Sequence, residues 1–292
     1  MSASVGSARP LAVVPALEQP IASVVIPAYN EVAVIGRTLD ALLAGTVPGE
    51  LDVIVVANAC RDRTAEVAAG YGVRVLSTST GGKAHAIRLG DAACRTYPRI
   101  YLDADVTLDA ESVRHLVAAL SDPGVLAAAP EPEWDLEGAG RIARRICKVH
   151  NALIAPSRAL AGVGAYALTE EAHSRVFPLP DIIADDGLVD RSFVGGERRT
   201  VPAARSVVRP ARTVRAHLAR RVRVRQGNRE LDAMGIPAPH ERLTLRSLST
   251  LIHDRVVSLA DATCYLAALA ADRIISRRTP RGTWGTDASS RG

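Results

Sequence analysis

The chain is poor in cysteine and lacks long apolar runs, and each shortage excludes a class of protein. Its 292 residues include four scattered cysteines and no Cys-x-x-Cys pair. This usage argues against a disulfide scaffold or a zinc site and favours a reducing, cytoplasmic location. No uncharged apolar run reaches the ~18 residues of a membrane span. The short apolar stretch near the N-terminus lacks the cationic flank of a signal peptide.

Lysine is also scarce: of the 36 lysine and arginine residues, only two are lysine. Lys83 follows Gly81 and Gly82 at the start of a predicted helix, where an ammonium group and free backbone N–H groups favour a phosphate. An ordinary surface lysine is the alternative.

Between Arg198 and Arg229 lie eleven arginines and no acidic residue. Such a run indicates an anionic partner, either a diphosphate or a phosphate-bearing surface, with a solvated face as the alternative.

Apolar strands alternate with amphipathic helices in the first hundred residues. The predicted strands cover residues 22–27, 52–57 and 73–76, with a fourth ending at residue 102, and the predicted helices follow Asn30 and cover residues 64–70 and 83–96. We expect Asn30 to cap the first helix and Asp109 to cap a later one. The alternation predicts βαβ units and a mainly parallel sheet.

Asp103 and Asp105 follow the apolar run that forms the fourth predicted strand. Residues two apart in a strand point to the same side, so the two carboxylates are expected to converge. Their place at the carboxyl end of a strand is where open α/β sheets bind ligands. Paired carboxylates there suit Mg²⁺ or Mn²⁺ sharing its shell with a diphosphate. A solvated turn or a helix cap is the alternative.

Several segments in order resemble the family 2 glycosyltransferases. The matching segments are Val24-Val25-Ile26-Pro27-Ala28-Tyr29-Asn30-Glu31, Cys60-Arg61-Asp62-Arg63-Thr64, Gly82-Lys83-Ala84-His85-Ala86, Asp103-Ala104-Asp105, Gly162-Val163-Gly164-Ala165-Tyr166-Ala167-Leu168, Ala184-Asp185-Asp186 and Gln226-Gly227-Asn228-Arg229. The resemblance covers about residues 22–230 and depends on the order and spacing of the segments. It implies a GT-A fold, which is a Rossmann-like nucleotide-binding α/β fold with a mainly parallel sheet flanked by helices. It also implies an inverting transfer from a nucleotide-sugar.

The resemblance assigns a role to each matching polar residue. Asp105, together with Asp103, is expected to bind Mg²⁺ or Mn²⁺. Asp186 is expected to act as the general base beside Asp185, with Asp181 and Asp190 as competing candidates. The residues expected to hold the nucleotide-sugar are Pro27, Tyr29, Glu31, Asn58, Asp62, Lys83, Asp103, Gln226 and Arg229.

Four further features qualify these roles. Gln226 and Arg229 are three residues apart on one helix face and could close over the diphosphate with Arg221 or Arg225. Glu230 stands where the family signature has a tryptophan, which argues against a processive synthase. The second loop, residues 57–60, lacks the acidic residues that the family usually has, so uridine, guanosine and thymidine donors all remain open. Asp62, just after this loop, could simply cap the helix that begins at residue 64 and not hold the nucleotide. His217 is a candidate third metal ligand, with a solvated histidine as the stronger alternative.

The expected organisation has four parts. These are a flexible arm (1–20), a GT-A domain (21–232, with a nucleotide-binding half about 21–108 and an acceptor-side half about 109–232), a helical region (233–278) and a flexible tail (279–292). The helical region reads as one helix over residues 251–276, with Asp254, Asp261 and Asp272 on one stripe. Packing on the catalytic core is expected, and a homodimer contact or a peripheral membrane contact are the alternatives.

These observations predict a glycosyltransferase that moves a sugar to an acceptor hydroxyl of a glycan, a lipid or a small molecule. A nucleotidyltransferase, or a non-catalytic nucleotide-sugar binding protein on the same fold, are the alternatives. No nucleic-acid-reading element is recognisable, so no nucleic-acid partner is expected. The sugar, the acceptor and the oligomeric state stay open.

Overall fold

A computed structural model describes residues 19–155, 159–236 and 245–278 of the chain. The predicted tail, and all of the predicted arm but its last two residues, lie outside these ranges. The strands are β1 (Ala22–Ala28), β2 (Leu51–Asn58), β3 (Arg74–Thr78), β4 (Arg99–Leu102), β5 (Thr107–Leu108), β6 (Ala127–Trp134), β7 (Ala165–Leu168) and β8 (Arg198–Val208). The helices are α1 (Ile35–Leu43), α2 (Thr64–Ala69), α3 (Lys83–Ala92), α4 (Ala110–Ala119), α5 (Arg141–Ile154), α6 (Glu170–Val176), α7 (Asp185–Arg191), α8 (Val214–Ala233), α9 (Leu245–His253) and α10 (Leu259–Arg278).

All eight strands form one mixed sheet in the order β3-β2-β1-β4-β7-β6-β8-β5. The first four are mutually parallel, so their carboxyl ends meet at one edge. Strand β7 runs antiparallel to both β4 and β6, and β8 returns parallel to β6. The predicted α/β fold with a largely parallel sheet is confirmed, and its antiparallel half places the segment around residue 164 beside the end of β4.

Apolar burial explains why the strand and the helix of residues 22–43 form where the sequence predicts them. Val24 and Ile26 of β1 are fully buried, as are Ile35, Leu39 and Leu42 on one face of α1. Burying a side chain of this size stabilises a fold by about 1.5–3 kcal/mol relative to leaving it exposed. This packing fixes the loops that follow β1, β2 and β4 at the carboxyl edge of the sheet.

Two local predictions about helix ends are wrong. Asn30 does not cap α1, which begins at Ile35 with Val34 in the capping position. Asn30 instead has a left-handed backbone (φ 53°), and its Oδ1 accepts a hydrogen bond from the Arg61 amide at 2.8 Å. Helix α3 ends at Ala92 and not at residue 96, because the amides beyond it turn toward Ser23 and Asp52 of β1 and β2. The Asp109 cap of α4 is confirmed.

The C-terminal region is two helices and not the single helix that we predicted. The chain breaks between α9 and α10, where Arg255 has a left-handed backbone (φ 57°). Asp254 lies in this break and is exposed, whereas Asp261 and Asp272 are buried and paired with arginines. The predicted aspartate stripe is therefore wrong.

The expected packing of this region on the rest of the chain is confirmed. Side chains of α9 and α10 form an apolar cluster with α5; its buried members include Ile146, Val149, Leu248 and Tyr265. Across the ranges described, none of the helices has the length and hydropathy to span a bilayer.

Candidate active site

The loops after β1 and β2 are fastened to each other by hydrogen bonds. The Asp62 carboxylate accepts from the amide of Val32 at 3.2 Å and from that of Thr64 at 3.1 Å. Burial alone would raise the pKa of Asp62, but a hydrogen bond from the Thr64 hydroxyl, together with the two amide bonds, holds it below its ordinary value. Asp62 bonds to the first residue of α2, but the N-cap position is occupied by Arg63, so Asp62 is not the predicted helix cap. Its role toward a nucleotide stays a prediction. Glu31 is buried in the same place, and its amide donates to Thr64 Oγ1 at 2.8 Å.

Asn58 ties the second loop to the start of α3. Its Oδ1 accepts from the Gly82 amide at 3.0 Å, and the residue is buried. Gly82 has φ of 144°, a backbone conformation that glycine adopts easily, and it immediately precedes Lys83. The side-chain oxygen of Asn58, a residue that we expected to hold the nucleotide-sugar, thus also positions the glycine that precedes Lys83.

Asp103 and Asp105 occupy a turn and not the end of a strand. Strand β4 stops at Leu102, and the Asp103 amide donates to the Gly164 carbonyl at 2.8 Å. The alternation of side chains that predicted convergence therefore does not apply. Asp103 faces Lys83, whereas Asp105 lies in the electrostatic neighbourhood of Arg37. The structure brings Asp103, but not Asp105, to the pocket described next.

Lys83 forms an ion bridge at the centre of the candidate site. Its ammonium nitrogen lies 2.8 Å from Asp103 Oδ1 and 3.1 Å from Asp185 Oδ1. Burial would lower the pKa of Lys83, but Asp103, Asp185 and Asp186 raise it above its ordinary value. The ammonium therefore stays protonated and couples the turn after β4 to the start of α7.

The two acidic residues at the start of α7 have different surroundings. Asp185 is buried, and burial raises its pKa to about 6 against the opposing effect of Lys83. Asp186 is half-buried, with Oδ2 accepting from the Gly162 amide and Oδ1 from the Gly187 amide, both at 2.8 Å. Asp186 is thus oriented by backbone amides, while Asp185 is held by a charge.

The two competing base candidates are engaged elsewhere. Asp190 is buried and lies 2.8 Å from Arg198, and its Oδ1 also accepts from the Leu160 amide at 2.9 Å. Asp181 is exposed and lies 2.7 Å from Arg88. Neither lines the pocket that contains Asp185 and Asp186.

These residues enclose a small pocket at the carboxyl edge of the sheet. Its lining includes the charged residues Lys83, Asp103, Asp185 and Asp186 and the tyrosines Tyr101 and Tyr166, and Pro27 adds an apolar wall. The pocket volume of about 10 Å³ is close to the space that one water molecule needs. The Tyr166 hydroxyl and Asp185 Oδ2 are both buried there, and neither finds a hydrogen-bond partner among the described residues. Both atoms thus keep hydrogen-bonding capacity for a ligand or a water.

Our sequence reasoning gave Tyr166 no role. The segment that contains it matched the family pattern, but the pattern does not show which side of β7 faces the site. Pairing of Tyr166 with Tyr101 on β4 provides that information, and the two rings stack with centroids 5.0 Å apart.

Helix α8 reaches the site through a glycine. Among the described residues, Gln226 and Arg229, which we expected to hold the nucleotide-sugar, are not part of the pocket lining. Gly227 packs on Ala184, the residue before the acidic pair, so closely that an added Cβ would lie 2.6 Å from the Ala184 Cβ. Glu230 also contacts this segment, because its carboxylate accepts from the Ile183 amide at 3.0 Å.

The arginines expected to assist Gln226 and Arg229 are used inside the protein. Arg221 lies 3.2 Å from the fully buried Asp272, and Arg225 also pairs with Asp272. The expectation that either closes over a diphosphate is wrong, because α10 supplies a buried counter-ion. His217 lies in the same helical layer, with its ring 6.4 Å from that of His150. Burial, with help from Arg221 and Arg220, lowers the pKa of His217 to about 4.

A divalent metal fits this site only if a bound phosphate group or water completes its coordination. Within residues 19–155, 159–236 and 245–278, no group of three or more His, Cys, Asp or Glu side chains is arranged to hold an ion. Mg²⁺ and Mn²⁺ sites of nucleotide enzymes commonly use one or two carboxylates and take further oxygens from phosphates and water. The half-exposed carboxylate of Asp103 and the nearby Asp105 fit that kind of shared shell.

Comparison with known proteins shows which family and fold this chain is similar to. Residues 23–163 match the model of the family described as "Glycosyl transferase family 2". This segment of the chain is therefore similar to the family 2 glycosyltransferases. A segment of 91 residues is 38% identical to 4,4'-diaponeurosporenoate glycosyltransferase of Staphylococcus aureus. The match covers 29% of this chain and 24% of that protein, so the chain spans about a quarter of the length of such relatives.

Solved structures show that the chain has the GT-A fold. Mannosyltransferase PcManGT from Pyrobaculum calidifontis, in complex with GDP-Man and Mn²⁺, superposes with a TM-score of 0.58 at 21% identity over 94% of this chain and 80% of that one. Glucosyl-3-phosphoglycerate synthase from Mycobacterium tuberculosis, in complex with Mn²⁺, UDP and glucosyl-3-phosphoglycerate, gives 0.50 at 23% identity over 76% and 82%. At these identities the likeness shows the fold, and the predicted GT-A fold with C-terminal helices is confirmed.

Proposed function

We propose that the protein transfers a sugar from a nucleoside-diphosphate sugar to an acceptor hydroxyl, with inversion at the anomeric carbon. The observation that carries this proposal is the ion bridge of Lys83 with Asp103 and Asp185, which joins the turn after β4 to the acidic pair of α7. The Lys83 ammonium lies between Asp103, after β4, and Asp185, at the start of α7. Its positive charge suits the departure of a diphosphate, and the adjacent acidic pair suits removal of a proton from the acceptor. The GDP-Man and Mn²⁺ of one structurally similar protein, and the UDP and Mn²⁺ of the other, support the same class of donor.

In this proposal the residues of the first two loops hold the nucleotide. Tyr29 and Glu31 follow β1, and Asn58 and Asp62 follow β2, at the edge where α/β sheets bind ligands. A Mg²⁺ or Mn²⁺ ion held by Asp105 and Asp103 would neutralise charge on the diphosphate. Lys83 would supply further positive charge to the leaving group.

Asp186 is the proposed general base. It takes the proton of the acceptor hydroxyl as the new bond to the anomeric carbon forms and the bond to the diphosphate oxygen breaks. The amides of Gly162 and Gly187 orient its two oxygens, each of which keeps a lone pair for the incoming proton. Asp185 contributes by holding Lys83 in place.

A donor screen tests the proposal. UDP-, GDP- and dTDP-sugars are incubated with the protein and Mn²⁺, and released nucleoside diphosphate is measured for wild type and Asp105→Ala. We expect release from one nucleotide class by wild type and a fall of at least tenfold in the variant. Binding of a donor without release would instead support the non-catalytic alternative.

The partners and location predicted from sequence remain proposals. Helix α10 exposes Leu259, Leu266 and Ile274, and this supports contact with a second copy of the chain or with a membrane surface. Sedimentation and vesicle flotation distinguish the two. All four cysteines are free thiols, which supports a reducing compartment such as the cytoplasm.

A further inference from the structure

A second group of charged side chains gathers around Arg37, a residue of α1 that does not line the acidic pocket. The Arg37 guanidinium lies in electrostatic range of Arg209 and Arg212, which follow β8, and of Asp105 and Asp135. Helix α1 and the segment after β8 therefore bring three arginines to one place. The position is next to Asp105, because the neighbouring Thr38 of α1 donates its hydroxyl to the Ala104 carbonyl at 2.8 Å.

Arg37 carries two buried N–H groups without an acceptor. Its Nε and Nη2 find no hydrogen-bond partner within the described ranges. Burial lowers the pKa of Arg37, and the nearby Arg209 and Arg212 lower it further. Buried polar groups in folded proteins almost always have a partner, and an orphan usually marks an ion or a water that completes the site.

The balance of charge around Arg37 selects an anion as that partner. Arg209 lies 2.9 Å from Asp135, and its Nη1 lies 3.5 Å from Thr107 Oγ1. Among the five charged groups the three guanidinium groups outnumber the two carboxylates, Asp105 and Asp135. Nε and Nη2 form one edge of the guanidinium plane, and such an edge donates two parallel hydrogen bonds to the oxygens of a phosphate or carboxylate.

We propose that Arg37, together with Arg209 and Arg212, forms a binding subsite for a phosphate-type oxyanion beside Asp105. The oxyanion accepts from Nε and Nη2 of Arg37, and the other two arginines add positive charge. Two sources carry this chemistry: the diphosphate of the donor, or an anionic group on the acceptor. The choice of source rests on the proposed function, whereas the existence of the subsite does not.

Binding of inorganic phosphate tests the subsite without metal or sugar. Thermal unfolding is followed as phosphate is added, with potassium chloride at equal ionic strength as the salt control. Wild type should be stabilised by phosphate beyond the chloride effect, and Arg37→Gln should bind phosphate about ten- to a hundredfold more weakly because the bidentate contact is lost. Arg37→Lys keeps the charge but loses the planar edge, so it should lie between the two.

Arg199→Gln is the matched control, because Arg199 lies at the opposite end of β8 from Arg209 and pairs with the exposed Asp122. This variant should respond to phosphate as wild type does. A phosphate response in Arg37→Gln equal to that of wild type would overturn the proposal. So would a wild-type response no larger than that to chloride.

Titration with UDP and GDP in the presence of Mn²⁺ identifies the source. If Arg37→Gln weakens nucleoside diphosphate binding as much as phosphate binding, the subsite takes the donor diphosphate. If nucleoside diphosphate binding is unchanged while phosphate binding is lost, the subsite takes an anionic acceptor. The proposed function can fail in the donor screen while the phosphate result stands, so the two failures are distinguishable.

Discussion

Replacing Lys83 by methionine should destabilise the fold by an amount that grows with pH. Methionine keeps an unbranched apolar side chain and removes the ammonium that lies 3.1 Å from Asp185. Asp185 is only 2% exposed, so the change leaves a buried carboxylate without its counter-ion. Removing one partner of a buried ion pair typically costs about 3–5 kcal/mol, and we expect a loss in that range at pH 8.

The direction of the pH dependence follows from the pKa of Asp185. Burial already raises this pKa to about 6 while Lys83 opposes the rise, so removal of Lys83 raises it further. A carboxyl with a raised pKa in the folded state destabilises the fold as pH increases from the unfolded value toward the folded value. Each pH unit in that window costs about 1.4 kcal/mol. The loss caused by Lys83→Met should therefore be smaller at pH 5 than at pH 8.

Urea unfolding at the two pH values measures this difference. The chain offers a matched control in its only other lysine, because Lys148 is 53% exposed and lies 3.7 Å from Asp261. Lys148→Met should cost less than about 1 kcal/mol at both pH values. Adding Asp185→Asn to Lys83→Met should recover most of the loss at pH 8, since the unpaired charge is gone. Equal losses at pH 5 and pH 8, or a loss no larger than that of Lys148→Met, would refute the reasoning.

Three other variants probe separate parts of the account. Gly227→Ala should cost about 1–3 kcal/mol in urea unfolding and slow donor turnover, because the new Cβ would lie 2.6 Å from that of Ala184; Gly196→Ala, with open space around it, should do neither. Tyr166→Phe removes a buried hydroxyl without a described partner, so unfolding should show no loss and up to about 1 kcal/mol of gain. With a pKa of about 4 in the fold, His217 makes stability fall from pH 6.5 to pH 4 by about 3 kcal/mol, and His217→Gln should remove that slope.

Local sequence patterns predicted the first strands and helices well because these elements depend on nearby residues. The run at Val24 and Ile26 is β-branched and buried on both sides, and the apolar spacing of Ile35 and Leu39 is helical. Lys83 was singled out because lysine is rare in this chain. Its partner Asp185 could not be predicted, because the contact joins distant segments through the fold.

The errors have the same origin. Strand β4 ends at Leu102 because the Asp103 amide bonds to Gly164, a residue of another segment, so the rule of alternating side chains was applied one residue too far. Arg221 and Arg225 do share a helix face, as their spacing predicts, but the group that they face is Asp272 of α10. Spacing gives the face of an element, and only the tertiary structure gives what lies opposite.

The rate of donor turnover by Asp186→Asn tests the central claim most directly. The variant keeps the shape of the side chain and the contacts of the Lys83 ion bridge, but it cannot accept the proton of the acceptor. We predict that kcat falls by about 10²–10⁴, the usual contribution of general base catalysis, with unchanged affinity for the nucleoside diphosphate. Asp122→Asn, at an exposed ion pair with Arg199, should turn over at the wild-type rate. A kcat for Asp186→Asn within a few-fold of wild type would contradict the account.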